Sequence, residues 1–170
     1  FEPRRVKAGR RHGADVQIII GDGLSALAIE ENAVAFIDVI SKSLAADGWK
    51  VGPTIIVQQA RVAVGDEVGE VLGAKMVVVL IGERPGLSSP DSMGIYMTLN
   101  PHAGMTDESR NCISNVRPEG LSYELAAHKL LYLMTEAKTR GLSGVMLKDD
   151  AENLASNAVT STQNFLLGAD

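Results

Sequence analysis

The sequence predicts an α/β fold, a doubly wound and mostly parallel sheet with helices on both faces. Short runs of Val and Ile alternate with longer stretches whose apolar residues recur every three or four positions. The clearest run, KMVVVLIG at 75–82, is apolar without alternation, as in a parallel strand covered on both sides. Aromatic residues make up only 4% of the chain, and Val, Ile, Leu, Ala and Gly are plentiful, which suits tightly wound layers.

The elements follow in order. DVQIII at 15–20 ends abruptly at Gly21 and reads as a buried strand. The next segment places Leu24, Leu27, Ala28, Val34, Ile37, Ile40 and Leu44 on one helical stripe, and Gly48 stops it. TIIVQQA at 54–60 reads as a second strand, and VGDEVGEVLGA at 64–74 as a short, acidic, broken helix. KMVVVLIG is the third strand. A Gly-, Pro-, Ser- and Asp-rich stretch from 83 to 92 follows, then GIYMTLN at 94–100, read as an edge strand. Thr106, with acids behind it, carries helix-start chemistry for 106–115. Segment 122–141 is a strong helix, capped by Ser122, ended by Gly141, with Leu121, Leu125, Leu131 and Met134 as its core stripe. SGVMLKD at 143–149 reads as a last strand.

Composition narrows the function. The net charge is −5 and the isoelectric point about 5.2, which gives no electrostatic footprint for nucleic acid. The basic cluster at 4–11 reads as a solvated segment. The longest apolar run, VVVLI at 77–81, falls far short of the ~20 residues a membrane span needs. The single cysteine, Cys112, forms no intrachain disulfide and suits a reducing cytosol. The sequence has no metal-ligand spacing, no G-x-S-x-G and no Walker loop, and His12, His102 and His128 have no recognisable pairing with Cys112.

In open α/β sheets ligands bind beyond the carboxyl ends of the strands. That rule selects GDGLS at 21–25, QARV at 59–62 and GERPGLSSPD at 82–91. GDGLSA matches a shortened dinucleotide fingerprint, or its glycines serve the turn itself. Glu83 and Arg84 follow directly on a buried strand, so at least one of them needs a partner, either a ligand or an ion pair of Glu83 with Arg84 or Arg61 that closes the sheet edge. Cys112 is read either as a small buried side chain or as one packed against a ligand.

DVQIIIGDGLSA, QARVAVGDEVGEVLGA, LIGERPGLSSPDSMGIYMT, TDESRNCISNVRPEGLSYELAA and LSGVMLKD resemble, in that order, the small (light) chain of ethanolamine ammonia-lyase. The resemblance runs from residue 15 to about 149. It implies a Rossmann-like domain and a carbon–nitrogen lyase that converts ethanolamine to acetaldehyde and ammonia with adenosylcobalamin, whose cobalt–carbon homolysis supplies the radical. It implies that the substrate is held by a large TIM-barrel subunit, within a higher-order hetero-oligomer, and that the small chain covers the cobalamin. No catalytic residue and no protein ligand to a metal is carried over to this chain. The cobalamin contacts carried over fall on Val62, Glu83 and Cys112, with Arg61 and Asn111 as added neighbours. Residues 15–150 are then the cobalamin-side domain, 1–14 an N-terminal remnant shorter than the family's, and 151–170 a C-terminal tail. The expected location is the cytoplasm, within a bacterial ethanolamine-utilisation microcompartment. The competing readings are a stand-alone nucleotide-binding domain using GDGLSA and a structural partner that touches no cofactor.

Overall fold

A computed structural model of the chain describes residues 13–83 and 89–147. They form one five-stranded sheet with three helices. The strands are β1 (Val16–Gly21), β2 (Ile55–Val57), β3 (Met76–Gly82), β4 (Met93–Leu99) and β5 (Asn111–Val116). The helices are α1 (Ala26–Ala46), α2 (Val64–Leu72) and α3 (Tyr123–Arg140). The strands lie in the order β2-β1-β3-β4-β5.

β1 is parallel to β2 and to β3, whereas β4 runs antiparallel to both β3 and β5. The sheet is therefore mixed, not mostly parallel. The cause lies in the connections: a parallel return needs a crossover of a dozen residues or more, usually helical. α1 and α2 supply such crossovers before β2 and β3. Among the described residues no helix lies between β3 and β4, and the chain returns antiparallel beside its own strand.

Helices do cover both faces, unequally. On the inner face, Val16, Ile18, Met76, Val78, Leu80, Ile95, Met97 and Ile113 pack under α1 and α3 through Phe36, Ile40, Leu130, Leu133 and Met134. On the outer face, Ile19, Val77, Val79 and Ile81 pack under α2 through Val68 and Leu72. β3 is buried along its whole length, which explains its unbroken apolar sequence.

α2 is a regular helix rather than a broken one. A β-carbon on Gly65 would lie 2.6 Å from Val79, and one on Gly69 would lie 2.3 Å from Pro101 and 2.6 Å from Val77. The glycines bring this helix close onto the sheet. Its first turn is anchored by buried Asp66, which is ion-paired with buried Arg110 at the entry to β5.

Several expectations are corrected. β4 is interior, because β5 covers its far side. The helix expected over 106–115 is a single 3-10 turn, Asp107–Ser109, followed by strand β5. The strand expected at 143–149 begins as another 3-10 turn, Gly144–Met146, and 148–149 lie outside the described residues. Leu24, Leu27, Val34 and Leu125 are exposed, and Ala33, Phe36, Ala126, Ala127, Leu130 and Leu133 fill the helix cores instead. Among the described residues no helix is long and apolar enough to cross a membrane.

Candidate functional site

The crossovers from β1 to β2 and from β2 to β3 leave β1 and β3 as neighbours whose chains depart to opposite sides. Their carboxyl ends therefore open the crevice where α/β sheets hold ligands. Here the chain packs tightly into itself. A β-carbon on Gly23 would lie 1.7 Å from the Ala60 carbonyl oxygen, and one on Gly82 would lie 2.3 Å from the Ser25 carbonyl oxygen. Ser25 caps α1 by accepting from the Ala28 N–H at 3.4 Å, and its hydroxyl donates to the Pro90 carbonyl at 2.7 Å. The glycines of GDGLSA thus serve loop packing, and the helix start is capped by its own chain.

Beyond β1 and β2 lies an open hollow of about 520 Å³, lined by Asp22, Gly23, Leu24, Gln59 and Arg61. Asp22 accepts the Gln59 backbone N–H. Leu24 and Gln59 both have positive φ, 69° and 52°. Such strain in residues with side chains gathers at ligand-binding loops. Arg61 is exposed at this rim, and Val62 beside it packs against the outer apolar cluster.

Glu83 stands at the carboxyl end of β3 and is firmly placed. Its Oε2 accepts from the Ser92 hydroxyl and, at 3.1 Å, from the Asn115 backbone N–H. The pairing of β4 with β5 shifts register between Met93 and Ile95, and Asn115 takes a positive φ of 60° at this irregularity. Bulges of this kind re-aim neighbouring groups, and here the freed Asn115 N–H reaches Glu83. The returning loop is fixed at three points. The buried Asn32 side chain donates to the Asp91 carbonyl at 2.8 Å, Arg117 pairs with the Asp91 carboxylate at 3.2 Å, and Ser25 holds Pro90. Arg84, Pro85, Gly86 and Ser88, singled out from the sequence, lie outside the described residues.

Cys112 is exposed, with its sulfur 3.4 Å from the Ser114 hydroxyl. Side chains alternate along a strand, and Ile113 is buried under the inner-face helices, so Cys112 points to the outer face. It stands directly across from Tyr96. Asn111 is on the inner side of β5 by the same alternation. Its amide donates to the carbonyls of Gly144 and Leu147 at 3.2 and 3.0 Å, and its Oδ1 accepts from the Gly144 N–H at 2.6 Å. That amide clamps the segment after α3 to the edge strand.

Of the five residues singled out, the structure gathers Val62, Glu83 and Cys112 onto one face, sets Arg61 at the neighbouring rim and turns Asn111 away. The residue that joins the set is Tyr96, which the sequence reading passed over. Its ring packs on the outer apolar cluster that Val62 also touches, and it interacts with both Cys112 and Glu83. Burial above all, with the added fields of Cys112 and Glu83, pushes its phenol well up, so it stays protonated at neutral pH.

These features define a class: an α/β domain with a mixed sheet whose outer face carries an apolar cluster edged by fixed hydrogen-bonding groups. Within that class, the chain belongs to the ethanolamine ammonia-lyase light chain family, whose model matches residues 2–148. It is 59% identical over 157 residues to the ethanolamine ammonia-lyase small subunit of Azotobacter vinelandii, covering 92% of this chain and 58% of that protein. It is 56% identical over 174 residues to the subunit of the same name from Pseudomonas putida W619, covering 97% and 64%. The chain spans about 58% of the length of the Azotobacter relative.

Proposed function

We propose that this chain acts as the small subunit of an adenosylcobalamin-dependent ethanolamine ammonia-lyase, covering the cofactor where it meets a large TIM-barrel subunit. Family membership supports the reading. The observation that carries it is that Val62, packed on the outer apolar cluster with Tyr96, shares that side of the sheet with Cys112 and with Glu83 at the carboxyl end of β3.

The residues present fit the group. Cobalamin offers a broad apolar corrin edge fringed with primary amides. Val62 supplies apolar contact, Glu83 accepts N–H bonds, and Cys112 packs closely without burying a charge. Gly94 lets Tyr96 and Glu83 approach one another beside this contact, since a β-carbon there would lie 3.1 Å from Tyr96 and 3.2 Å from Glu83. Adenosylcobalamin, when bound, supplies the radical that starts the loss of ammonia from ethanolamine. This chain's own groups bind and orient. Glu83, held by Ser92 and Asn115, is oriented before any ligand arrives and loses little freedom on binding. Arg61 is placed to meet an anionic part of the ligand at the rim.

The same reading makes the first half, β1 to β3, a Rossmann-like doubly wound unit, consistent with its parallel 2-1-3 strand order. It assigns the whole protein to a higher-order hetero-oligomer in the cytoplasm, within an ethanolamine-utilisation microcompartment.

The test is reconstitution. The chain alone is expected to form no acetaldehyde, and addition of the large subunit is expected to give activity together with a bound corrinoid spectrum. In that complex Glu83→Ala should weaken apparent cobalamin affinity about tenfold or more, the value of a hydrogen bond to a charged group, ~1.5–3 kcal/mol. An unchanged affinity would leave the chain as a scaffold without cofactor contact.

A further inference from the structure

The outer face of the sheet carries a continuous row of register partners: Ile55, Ile19, Val79, Tyr96 and Cys112. α2 lies over the first part of that row, where Gly65 contacts Val79. Cys112 at the far end is exposed. Tyr96 stands where the cover stops, partly buried, with its ring against the α2-side cluster.

Two residues along β4, Gly94 removes the side chain that would separate Tyr96 from Glu83. A β-carbon there would meet the Tyr96 ring at Cε2 and the Glu83 chain at Cγ and, at 3.3 Å, Oε1. The Cε2 edge of the ring and the Glu83 side chain therefore border the same gap, and the field of Glu83 acts on the phenol. Both hydrogen bonds to Glu83 from Ser92 and Asn115 engage Oε2, whereas Oε1 is the oxygen beside Gly94 and Tyr96.

We infer that Tyr96 is a further cofactor-side residue, whose phenol and the Glu83 carboxylate together form a donor–acceptor pair for one primary amide arm of the corrinoid. The chemistry is complementary. A primary amide presents a carbonyl oxygen, which takes a hydrogen bond from the phenol, and an N–H₂ group, which gives one to Oε1. Two carboxylates would offer only acceptance, and two phenols would hold the amide more weakly. The phenol's raised titration keeps it a donor throughout the neutral range. The inference rests on the proposed cofactor-side role of this face.

The experiment uses the complex with the large subunit and hydroxocobalamin as the probe. N-ethylmaleimide modification of Cys112 is followed by mass spectrometry of its peptide, and each rate is normalised to the corrinoid-free rate of the same variant. Hydroxocobalamin should protect Cys112 in the unmodified protein. Tyr96→Phe keeps the ring and removes the donor, so the half-protecting concentration should rise about threefold to tenfold. Tyr132→Phe removes a phenol of α3, packed against the inner core on the other side of the sheet, and should leave protection unchanged. Far-UV circular dichroism checks that the Tyr96→Phe protein is folded. Equal protection in folded Tyr96→Phe and unmodified protein overturns the role of Tyr96 while the cofactor-side reading stands. No protection of Cys112 in the unmodified protein overturns both.

Discussion

Single side chains set the position of this site from some distance away. Asn32 is fully buried, yet its amide donates to the Ala28 and Asp91 carbonyls and accepts from the Tyr123 hydroxyl. One satisfied polar residue thus ties α1, α3 and the loop that returns from Glu83. At the opposite end of the sheet, Asp15 accepts from the Lys50 backbone N–H at 3.1 Å and pairs with the Lys75 ammonium at 2.8 Å. The Lys75 hydrogen bond first, then the Lys50 N–H, holds its carboxyl below the ordinary value of 3.8. The folded state therefore favours the carboxylate. Its contribution is present above pH 3.8 and fades as pH falls through the lower folded value. Lys75 is mostly exposed, so the amount is small, under about 1 kcal/mol. Urea titrations should find Asp15→Asn less stable than the unmodified chain at pH 7, with the gap closing below pH 3.8. A gap that widens on acidification would contradict this account. At this same scale the sequence revealed part of the site. Glu83 after a buried strand and Arg61–Val62 at a strand end stood out by position. Tyr96 did not, because its role comes from facing Cys112 across a strand pair, and register is invisible to local pattern.

Elements were legible where their cause is local. α3 begins at Ser122 and ends at Gly141 with a left-handed φ of 71°, as its capping residues announce. β5 was misread because only Ile113 and Val116 are buried, too few for a strand pattern, while the acids after Thr106 mimic a helix start. The glycines of α2 were misread as breaks because their purpose is a contact with residues far along the chain. That purpose can be tested. Gly69→Ala would gain about 0.5–1 kcal/mol of helix preference. Against this, the new carbon meets both Pro101 and Val77 at well under contact distance, and overpacking of this kind costs about 1–3 kcal/mol. The contact should prevail, with a net loss of about 1 kcal/mol and a fall in Tm of roughly 2–4 °C. Differential scanning calorimetry decides it. A higher Tm would mean that α2 gives way easily and is not pinned by Gly69.

At the scale of the whole molecule, two cores share one sheet. Ile18 faces inward and Ile19 outward on the same strand, and β3 likewise sends Val78 to one core and Val79 to the other. Neither core can be lost without stripping the strands that build its counterpart, so the described residues should unfold as one cooperative unit. The inner core also binds the ends of the fold together, since α1 and α3 both lie on it, and β5 closes its edge through Ile113 and Val116. The single tryptophan gives a local probe of this linkage. Trp49 follows α1, packs against the inner core, and carries the Lys138 ammonium of α3 over its ring at 4.7 Å. Its fluorescence reports the junction of α1, β1 and α3, whereas far-UV circular dichroism reports all elements at once. In a urea titration the two transitions should coincide in midpoint and slope. If Trp49 fluorescence changed at clearly lower urea than the dichroism, the α1–α3 layer would be separating from a sheet that survives it, and the shared-sheet account of cooperativity would fail.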